Sequence, residues 1–388
     1  MNSSVAVIGL GTMGAGIAEV LAAAGRTVIG VDADQAALDR GRTIVETSTG
    51  RALERDKITA DQRTALTERI SYHTDFAAVA DAEVVIEAVS ENLELKRSIF
   101  TRLGEVARPE TLLATNTSSL PITDIAVASG RADRVVGVHF FNPAPVQRLV
   151  EVVKTVLTAP SAQTQALELV NDLGKTPILC GDRAGFVVNA LLVPYLNRAA
   201  RLYQDGCATA AQIDEAMVAA GNPMGPLALI DLVGLDVTVS ALDRMYSETR
   251  DRRHAPVALL AALVSAGRLG RKTGQGILLQ AEPRPAPLID RSAELPDALL
   301  LPYLNDVCRM VEIGYATPEV IDTGMSLGCR MPRPFDVLAD LGPAAVLAGQ
   351  QQIFAATAEP GDRPALLLER LAAAPDPAAA LTELRAMA

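Results

Sequence analysis

Residues 5–14 read VAVIGLGTMG, and this short stretch decides the fold of the first part of the chain. The apolar, partly β-branched run over 5–8 is typical of a buried parallel strand. The glycine pattern G-x-G-x-x-G follows at once, and an alanine- and leucine-rich stretch over 15–24 predicts a helix. A second strand is predicted over 27–31, and Asp32 follows it. Strand, glycine turn, helix, strand and acid in this order predict a dinucleotide-binding βαβ unit.

Each part of the glycine turn has a mechanical reason. Gly9 allows the tight turn, Gly11 lets the backbone approach a pyrophosphate, and Gly14 lets the helix lie close to the strand. We expect Asp32 to accept hydrogen bonds from ribose hydroxyls and to repel a 2′-phosphate, so the predicted cofactor is NAD. The alternative is an ordinary glycine turn between a strand and a helix. The predicted phosphate-binding turn comprises Gly9, Leu10, Gly11, Thr12, Met13 and Gly14.

Polar clusters follow the other predicted strands of this region. Strands are predicted over 83–89, 112–115 and 135–139, with helical stretches between them. This alternation predicts a doubly wound parallel sheet, whose ligands bind beyond the carboxyl ends of the strands. The clusters at those ends are Ser90-Glu91-Asn92, Asn116 to Ser119, and His139 to Asn142. Their shared placement predicts one functional site at that edge of the sheet.

His139 and Glu151 are the candidate acid–base pair. His139 ends a predicted strand, where an imidazole can take a proton from a substrate hydroxyl near neutral pH. Glu151 interrupts the apolar run 149–153, and a carboxylate in a buried strand is costly unless it is paired. Pairing the two residues explains both. The alternatives are a structural histidine and a glutamate on the solvent face of an edge strand.

Several further motifs occur in series with these residues. They are E-A-V-S-E-N at 87–92, N-T-S-S at 116–119, G-V-H-F-F-N-P at 137–143, L-V-E-V at 149–152, G-K-T-P at 174–177 and G-F-V-V-N at 185–189. Together with the glycine turn, their order and spacing over residues 5–280 resemble the 3-hydroxyacyl-CoA dehydrogenase family. The resemblance implies a Rossmann-type sheet, bound NAD, an acyl-CoA substrate, and oxidation of L-3-hydroxyacyl-CoA to 3-ketoacyl-CoA or the reverse.

The resemblance also assigns roles to matching positions. It implies that His139 is the base, that Glu151 is its partner, and that Ser118 and Asn189 hold the 3-oxygen and thioester region of the substrate. The cofactor site that it implies is lined by Asp32, Glu91, Lys96, Asn116, Ser118, Asn142 and Lys272. The position after Asn189 departs from the family pattern, because Ala190 stands where the family usually has an arginine. This departure affects either a helix contact or the acyl pocket.

The residues alone leave some readings open. Thr117 to Ser119 are also compatible with a turn or helix cap, and Asn142-Pro143 is a common turn pair. The expected substrate is a short-chain acyl-CoA such as 3-hydroxybutyryl-CoA, used in β-oxidation and fatty acid metabolism. The alternatives are 3-hydroxyadipyl-CoA, a free 3-hydroxy acid, and a non-enzymatic crystallin-like or NAD-sensing protein. The motif at 137–143 separates the chain from the family's λ-crystallin and gulonate dehydrogenase branch.

The second half is predicted to be all helical and to repeat itself. Residues 193–197 read VPYLN and residues 301–305 read LPYLN, an offset of 108 positions that also pairs Pro226 with Pro334. Two tandem copies of one helical design are therefore predicted. The predicted organisation is 1–182 NAD-binding Rossmann domain, 183–282 helical copy 1, 283–299 proline-rich linker, and 300–388 helical copy 2. We expect either a monomer whose two copies pair like a dimer, or a homodimer.

Composition limits the partners of the 388-residue chain. The formal net charge is −11 and the sequence pI about 4.9, which disfavours nucleic acid and anionic membranes as partners. The four cysteines are widely spaced, without a zinc-site pattern. The chain has neither a signal-peptide pattern at its start nor an apolar run long enough to span a membrane. A cytoplasmic protein without a metal site is therefore expected.

Overall fold

The computed structural model describes residues 4–279 and 294–386. The chain divides into two compact units, Met1–Phe186 and Val187–Ala388. The described part of the first unit contains a sheet flanked by helices, and that of the second is helical. The predicted fold class, an α/β unit followed by an all-helical one, is confirmed.

In the described part of the first unit, eight strands form one sheet in the order β3-β2-β1-β4-β5-β6-β7-β8. The strands are β1 Ser4–Ile8, β2 Thr27–Val31, β3 Ile70–His73, β4 Val84–Glu87, β5 Leu112–Thr115, β6 Val135–Phe140, β7 Leu149–Lys154 and β8 Thr176–Gly181. All neighbouring strands run parallel except β6 and β7, which are antiparallel.

The strand order places a topological switch point at the end of β1. The chain runs from β1 outward to β2 and β3 and then returns to β4 on the other side of β1. The loops that follow the neighbouring strands β1 and β4 therefore leave the sheet in opposite directions, which opens a crevice between them. The sequence of the glycine turn falls at this point, and so the sheet topology agrees with its predicted role.

Helices cover the connections of the first unit. They are α1 Thr12–Ala23, α2 Gln35–Glu54, α3 Ala60–Glu68, α4 Leu93–Val106, α5 Ile122–Ala128 and α6 Pro160–Asp172. Helix α1 begins at Thr12, earlier than the predicted start at residue 15, because Gly11 already acts as its N-cap. An ideal Cβ on Gly14 would overlap the carbonyl oxygen of Gly9, so this position needs glycine for the helix to lie on the turn.

The second unit contains two helical segments with matching elements. The first helical segment (187–279) contains α7 Val188–Gln204, α8 Ala210–Ala219, α9 Pro226–Val233, α10 Leu235–Thr249 and α11 Ala258–Ser265. The second helical segment (294–386) contains α12 Leu295–Glu312, α13 Pro318–Cys329, α14 Pro334–Leu341, α15 Pro343–Thr357, α16 Leu366–Ala373 and α17 Pro377–Ala386. Helices α9 and α14 begin and end 108 positions apart, as do α10 and α15, and α11 and α16.

Buried polar contacts repeat at the same offset. The Asn197 side chain accepts a hydrogen bond from the N–H of Val257, and Asn305 accepts one from the N–H of Ala365. The carboxylate of Asp214 accepts from the first turn of α9, and that of Asp322 accepts from the first turn of α14. The repeated sequence positions thus make the same structural contacts in both segments.

The two segments differ at their ends. In the first, Asp231 accepts hydrogen bonds from the N–H groups of Ile277 and Leu278 and fixes the closing loop. In the second, helix α17 follows α16.

Helix α12 begins at Leu295, so residues 295–299 of the predicted linker 283–299 are helical, and residues 283–293 lie outside the described residues. Within the ranges described, no helix is both long and apolar enough to cross a bilayer.

We expect opposite effects from two glycine-to-alanine substitutions in helices of the first unit. Gly14→Ala drives a methyl group against the backbone of Gly9 and should lower the free energy of unfolding by about 3 kcal/mol. In α2, a Cβ on Gly50 would meet no atom within 4 Å, so Gly50→Ala should raise it by about 0.5–1 kcal/mol. Urea unfolding followed by circular dichroism measures both. Effects of the same sign would contradict this account of the turn.

Candidate active site

Asp32 ties the glycine turn to the end of β2. Its carboxylate accepts hydrogen bonds from the N–H groups of Leu10 and Ala33, both at 2.7 Å. Gly9 has φ +86°, the left-handed backbone region that favours glycine. Gly9, Gly11 and Asp32 line a cavity of about 530 Å³ at the switch point. The sequence prediction therefore placed the turn and the acid together correctly.

The cavity fits a dinucleotide by its backbone chemistry. Gly11 has no protein atom within 4 Å of an ideal Cβ, so its backbone is open to the cavity. As N-cap of α1, Gly11 gives no side-chain cap, and therefore the first N–H groups of the helix are available to phosphate oxygens. Thr12 and Met13 begin α1, and Gly14 packs on Gly9.

Phe76 and Arg102 are among the residues in the wall of this cavity that were not predicted. Phe76 lies on a short turn after β3, and Arg102 lies on α4. The Arg102 guanidinium carbon sits 4.1 Å from the centroid of the Phe76 ring. Neither residue belongs to a motif, and their meeting depends on packing between distant segments. No signal in the local sequence identifies them.

The predicted pairing of His139 with Glu151 is present. The two residues are directly opposite one another in the register of β6 and β7. Nδ1 of His139 lies 2.7 Å from Oε2 of Glu151. The Glu151 side chain has 0% exposed surface and His139 only 7%. The carboxylate therefore engages Nδ1 and fixes the orientation of the ring.

Aromatic side chains enclose the imidazole. The His139 ring centroid lies 4.7 Å from that of Phe141 and 5.7 Å from that of Phe186. Such an apolar enclosure limits competition by water and strengthens the interaction between the imidazole and the carboxylate. The alternative of a solvent-facing Glu151 on an edge strand is wrong, because β7 lies between β6 and β8 and Glu151 is buried.

Glu91 organises the loop that carries Ser118. Its Oε1 atom accepts hydrogen bonds from the Thr117 hydroxyl at 2.6 Å, the Ser118 N–H at 3.0 Å and the Ser118 hydroxyl at 3.3 Å, and also from Ser119. Burial opposes the charge of Glu91, but Lys96 and these hydrogen bonds outweigh it, and the pKa of Glu91 is lowered from its ordinary value. Glu91 is therefore a charged acceptor at neutral pH that fixes the Ser118 backbone.

Lys96 joins Glu91 to a second buried acid. Only 1% of Lys96 is exposed, and its Nζ lies 2.7 Å from Oε1 of Glu87 and 3.6 Å from Oε2 of Glu91. Glu87 also accepts a hydrogen bond from the hydroxyl of Thr115 at the end of β5. These contacts link the ends of β4 and β5. The role of Lys96 in the cofactor site stays a prediction.

Two further contacts hold the end of β6. The Asn116 side chain accepts a hydrogen bond from the N–H of Phe140, and this bond brings the polar loop after β5 to the strand that carries His139. Lys175 donates to the carbonyl oxygens of Ala144 and Gln147, each at 2.7 Å, within the loop from β6 to β7. Asn142 is exposed and lies near the start of that loop. The motif lysine of the 174–177 stretch thus fixes the connection between the His139 and Glu151 strands.

The remaining predicted site residues belong to the second unit. Asn189 is the second residue of α7 and is half-buried. Lys272 is partly exposed and its Nζ lies 2.5 Å from Oδ1 of Asp236. Their predicted roles toward substrate and cofactor stay predictions. Among the described residues, no group of three or more His, Cys, Asp or Glu side chains is arranged to hold a metal ion.

Comparison with known proteins identifies relatives over most of the chain. The family model described as 3-hydroxyacyl-CoA dehydrogenase, NAD binding domain, matches residues 4–183, and the model of the C-terminal domain matches 185–280 and 297–380. A probable 3-hydroxybutyryl-CoA dehydrogenase of Deinococcus radiodurans is 42% identical over 271 residues, which is 70% of this chain and 97% of that protein. A 3-hydroxyadipyl-CoA dehydrogenase of Escherichia coli K12 is 39% identical over 337 residues, 82% of this chain and 71% of that protein.

A solved structure is similar over almost the full length. The crystal structure of 3-hydroxybutyryl-CoA dehydrogenase from Escherichia coli K12 has a TM-score of 0.88 and 32% sequence identity, covering 96% of this chain and 98% of that chain. The matches and the open backbone of the glycine turn agree on NAD as the cofactor. The chain belongs to the 3-hydroxyacyl-CoA dehydrogenase family and is an NAD-dependent oxidoreductase.

Proposed function

We propose that the protein interconverts short-chain L-3-hydroxyacyl-CoA and 3-ketoacyl-CoA, with His139 as the general acid–base group. The observation that carries this proposal is the 2.7 Å contact between Nδ1 of His139 and the buried carboxylate of Glu151. A carboxylate on one ring nitrogen fixes the tautomer and ring orientation and makes the other nitrogen a better proton acceptor.

Each side chain has a distinct part in the oxidation. Nε2 of His139 takes the proton of the substrate's 3-hydroxyl group, and Glu151 stabilises the resulting imidazolium. NAD held at the glycine turn and Asp32 would supply the acceptor for the hydride from C3. Glu91 holds the backbone N–H of Ser118. The Ser118 hydroxyl would exchange its long contact with Glu91 for a hydrogen bond to the 3-oxygen, and Asn189 would hold the thioester region. In the reverse direction, the protonated imidazole returns its proton to the 3-keto oxygen.

The names of the relatives support a short acyl chain. The Deinococcus relative is named for 3-hydroxybutyryl-CoA, as is the Escherichia coli structure that matches over nearly the full length. The relative named for 3-hydroxyadipyl-CoA supports that compound as a second candidate substrate, because its match extends into the second helical segment. The two substrates differ in charge, since the adipyl chain ends in a carboxylate. A role in β-oxidation and a cytoplasmic location stay predictions from the sequence.

We also propose that the two helical segments are tandem copies that pair within one chain, as two subunits would in a homodimer. The matched helix bounds and the equivalent contacts of Asn197 and Asn305 support the duplication. The family's C-terminal model matches in both segments, which supports it as well. Pairing within one chain favours a monomer, and a homodimer is the alternative.

His139→Gln should lower kcat by about 10²- to 10⁴-fold, because a glutamine amide cannot take the hydroxyl proton. Glu151→Gln should also lower kcat, because the ring then loses its charged partner. Initial rates with acetoacetyl-CoA and NADH, followed by absorbance, measure both effects. NADH affinity, followed by fluorescence titration, should stay within about twofold of the unmodified protein, since neither residue is predicted to contact the cofactor.

A buried histidine elsewhere supplies the control. The His254 ring bonds the hydroxyl of Thr249 in the second unit, and His254→Gln should leave kcat within about twofold. Near-normal kcat in His139→Gln would remove the imidazole from the proposed mechanism.

The CoA thioester should be required for efficient turnover. We expect kcat/KM for acetoacetate to be at least about 10³-fold lower than for acetoacetyl-CoA, because binding energy from the remote part of a substrate lowers the barrier at the reacting carbon. Steady-state rates with both compounds at equal NADH measure the ratio. Comparable values would favour the alternative of a free 3-hydroxy acid.

A chain-length series distinguishes the two acyl-CoA candidates. We expect kcat/KM to be highest for the C4 substrate and about tenfold lower for 3-ketoadipyl-CoA, whose terminal carboxylate loses hydration when the acyl chain is bound. The series runs from C4 to C10 3-ketoacyl-CoA with the adipyl compound as the charged member. A maximum at the adipyl compound would replace the short-chain assignment with the second candidate.

A further inference from the structure

The two helical segments contact each other through equivalent helices. Helix α7 packs on α12, and the rings of Tyr195 and Tyr303 lie edge to face with centroids 5.9 Å apart. Helix α8 packs on α12 in the same way that α13 packs on α7. Residues 108 positions apart are equivalent. The contact therefore has the pattern of a two-fold dimer, in which each contact between two residues is repeated by the contact between their equivalents.

One side chain breaks this equivalence at the centre of the contact. Arg253 donates from Nη1 to both carboxylate oxygens of Asp306, at 2.8 and 3.1 Å. An ideal Cβ on Gly361 would overlap the Arg253 side chain at Nε. Gly361 is the residue equivalent to Arg253, and so a large cation in the first segment fills the space that a glycine leaves in the second.

The ion pairs between the two helical segments show the same asymmetry. Arg198 donates from Nη1 to Oδ1 of Asp362 at 3.2 Å and from Nε to the carbonyl oxygen of Ala298. Asp306 is the residue equivalent to Arg198. The first segment therefore supplies both arginines of these pairs, and the second segment supplies both aspartates.

The equivalence shows what a pairing of identical segments would bring together. Two first segments would place Arg253 against Arg253 at the centre and Arg253 against Arg198 beside it. Arg253 would keep the carboxylate of Asp251 in its own segment, but Arg198 would lose its partner Asp362. Two second segments would leave a gap between the glycines at position 361 and would place Asp306 against Asp362. Asp362 is only 1% exposed, and buried like charges without a partner are strongly unfavourable.

We propose that the contact between the helical segments is exclusive. Arg253 fills the space left by the missing side chain of Gly361, here called the notch, and pairs with Asp306. Neither segment can make this contact with a second copy of itself. The proposal rests on the intrachain pairing proposed above. The surface of α7 is therefore an interface for the second helical segment alone, and the full chain does not dimerise through this surface.

The first experiment compares two aspartate-to-arginine variants of the full chain. Asp306→Arg recreates the arginine pair of two first segments, and we expect it to lower the Tm of the helical unit by about 5–10 °C. Asp340→Arg makes the same charge change at an exposed position of α14 and should shift Tm by less than about 1 °C. Differential scanning calorimetry measures the Tm values. Multi-angle light scattering should give the mass of one 40.8 kDa chain for the unmodified protein.

The second experiment is a double-mutant cycle on the notch. Gly361→Ala should lower Tm by several degrees in the unmodified chain and by less than about 1 °C in the Arg253→Ala background, where the side chain that fills the notch is gone. An equal cost of Gly361→Ala in both backgrounds, or equal Tm shifts in Asp306→Arg and Asp340→Arg, would overturn the exclusive contact.

A mass of two chains for the unmodified protein that falls to one chain in Asp306→Arg would instead overturn the intrachain pairing itself, because the dimer would then depend on this face. Both measurements are made without substrate, so neither result bears on the dehydrogenase activity.

Discussion

The carboxylate of Glu151 has no exposed surface and lies in a strand whose buried neighbours are apolar. Without a partner such a charge would cost several kcal/mol, so the strand pairing must bring it to His139. The antiparallel register of β6 and β7 does this directly. A register slip of one residue between the two strands would place the side chains of His139 and Glu151 on opposite faces of the sheet. The chemistry of the site and the register of the sheet are therefore the same constraint.

The carboxyl edge of the sheet follows the same rule at β4. Glu87 is fully buried at the end of this strand and is neutralised by Lys96. The same ammonium stabilises the charge of Glu91, whose carboxylate then orders the loop of Ser118. Buried and paired acids thus fix the loop that carries Ser118.

The sequence predicts those parts of the structure that depend on local order. The glycine turn, the central strands and the pairing of His139 with Glu151 follow from motif spacing and from the cost of an unpaired acid. Strands β3 and β8, the Phe76–Arg102 contact and the contacts of Lys175 with the β6–β7 loop were not predicted, since they depend on segments far apart in the chain. The prediction of a repeat came from motif and proline positions in the sequence. The fit of Arg253 at Gly361 could not be predicted in this way, because the two segments differ at that position.

A covalent connection between the two helical segments has a consequence for behaviour on dilution. Separate subunits meet by diffusion, so their contact is lost when the protein concentration falls below the dissociation constant. Segments on one polypeptide are held at a high effective concentration whatever the number of molecules per volume. Because Arg253 and Asp306 belong to the same chain, their contact persists when each molecule is far from any other.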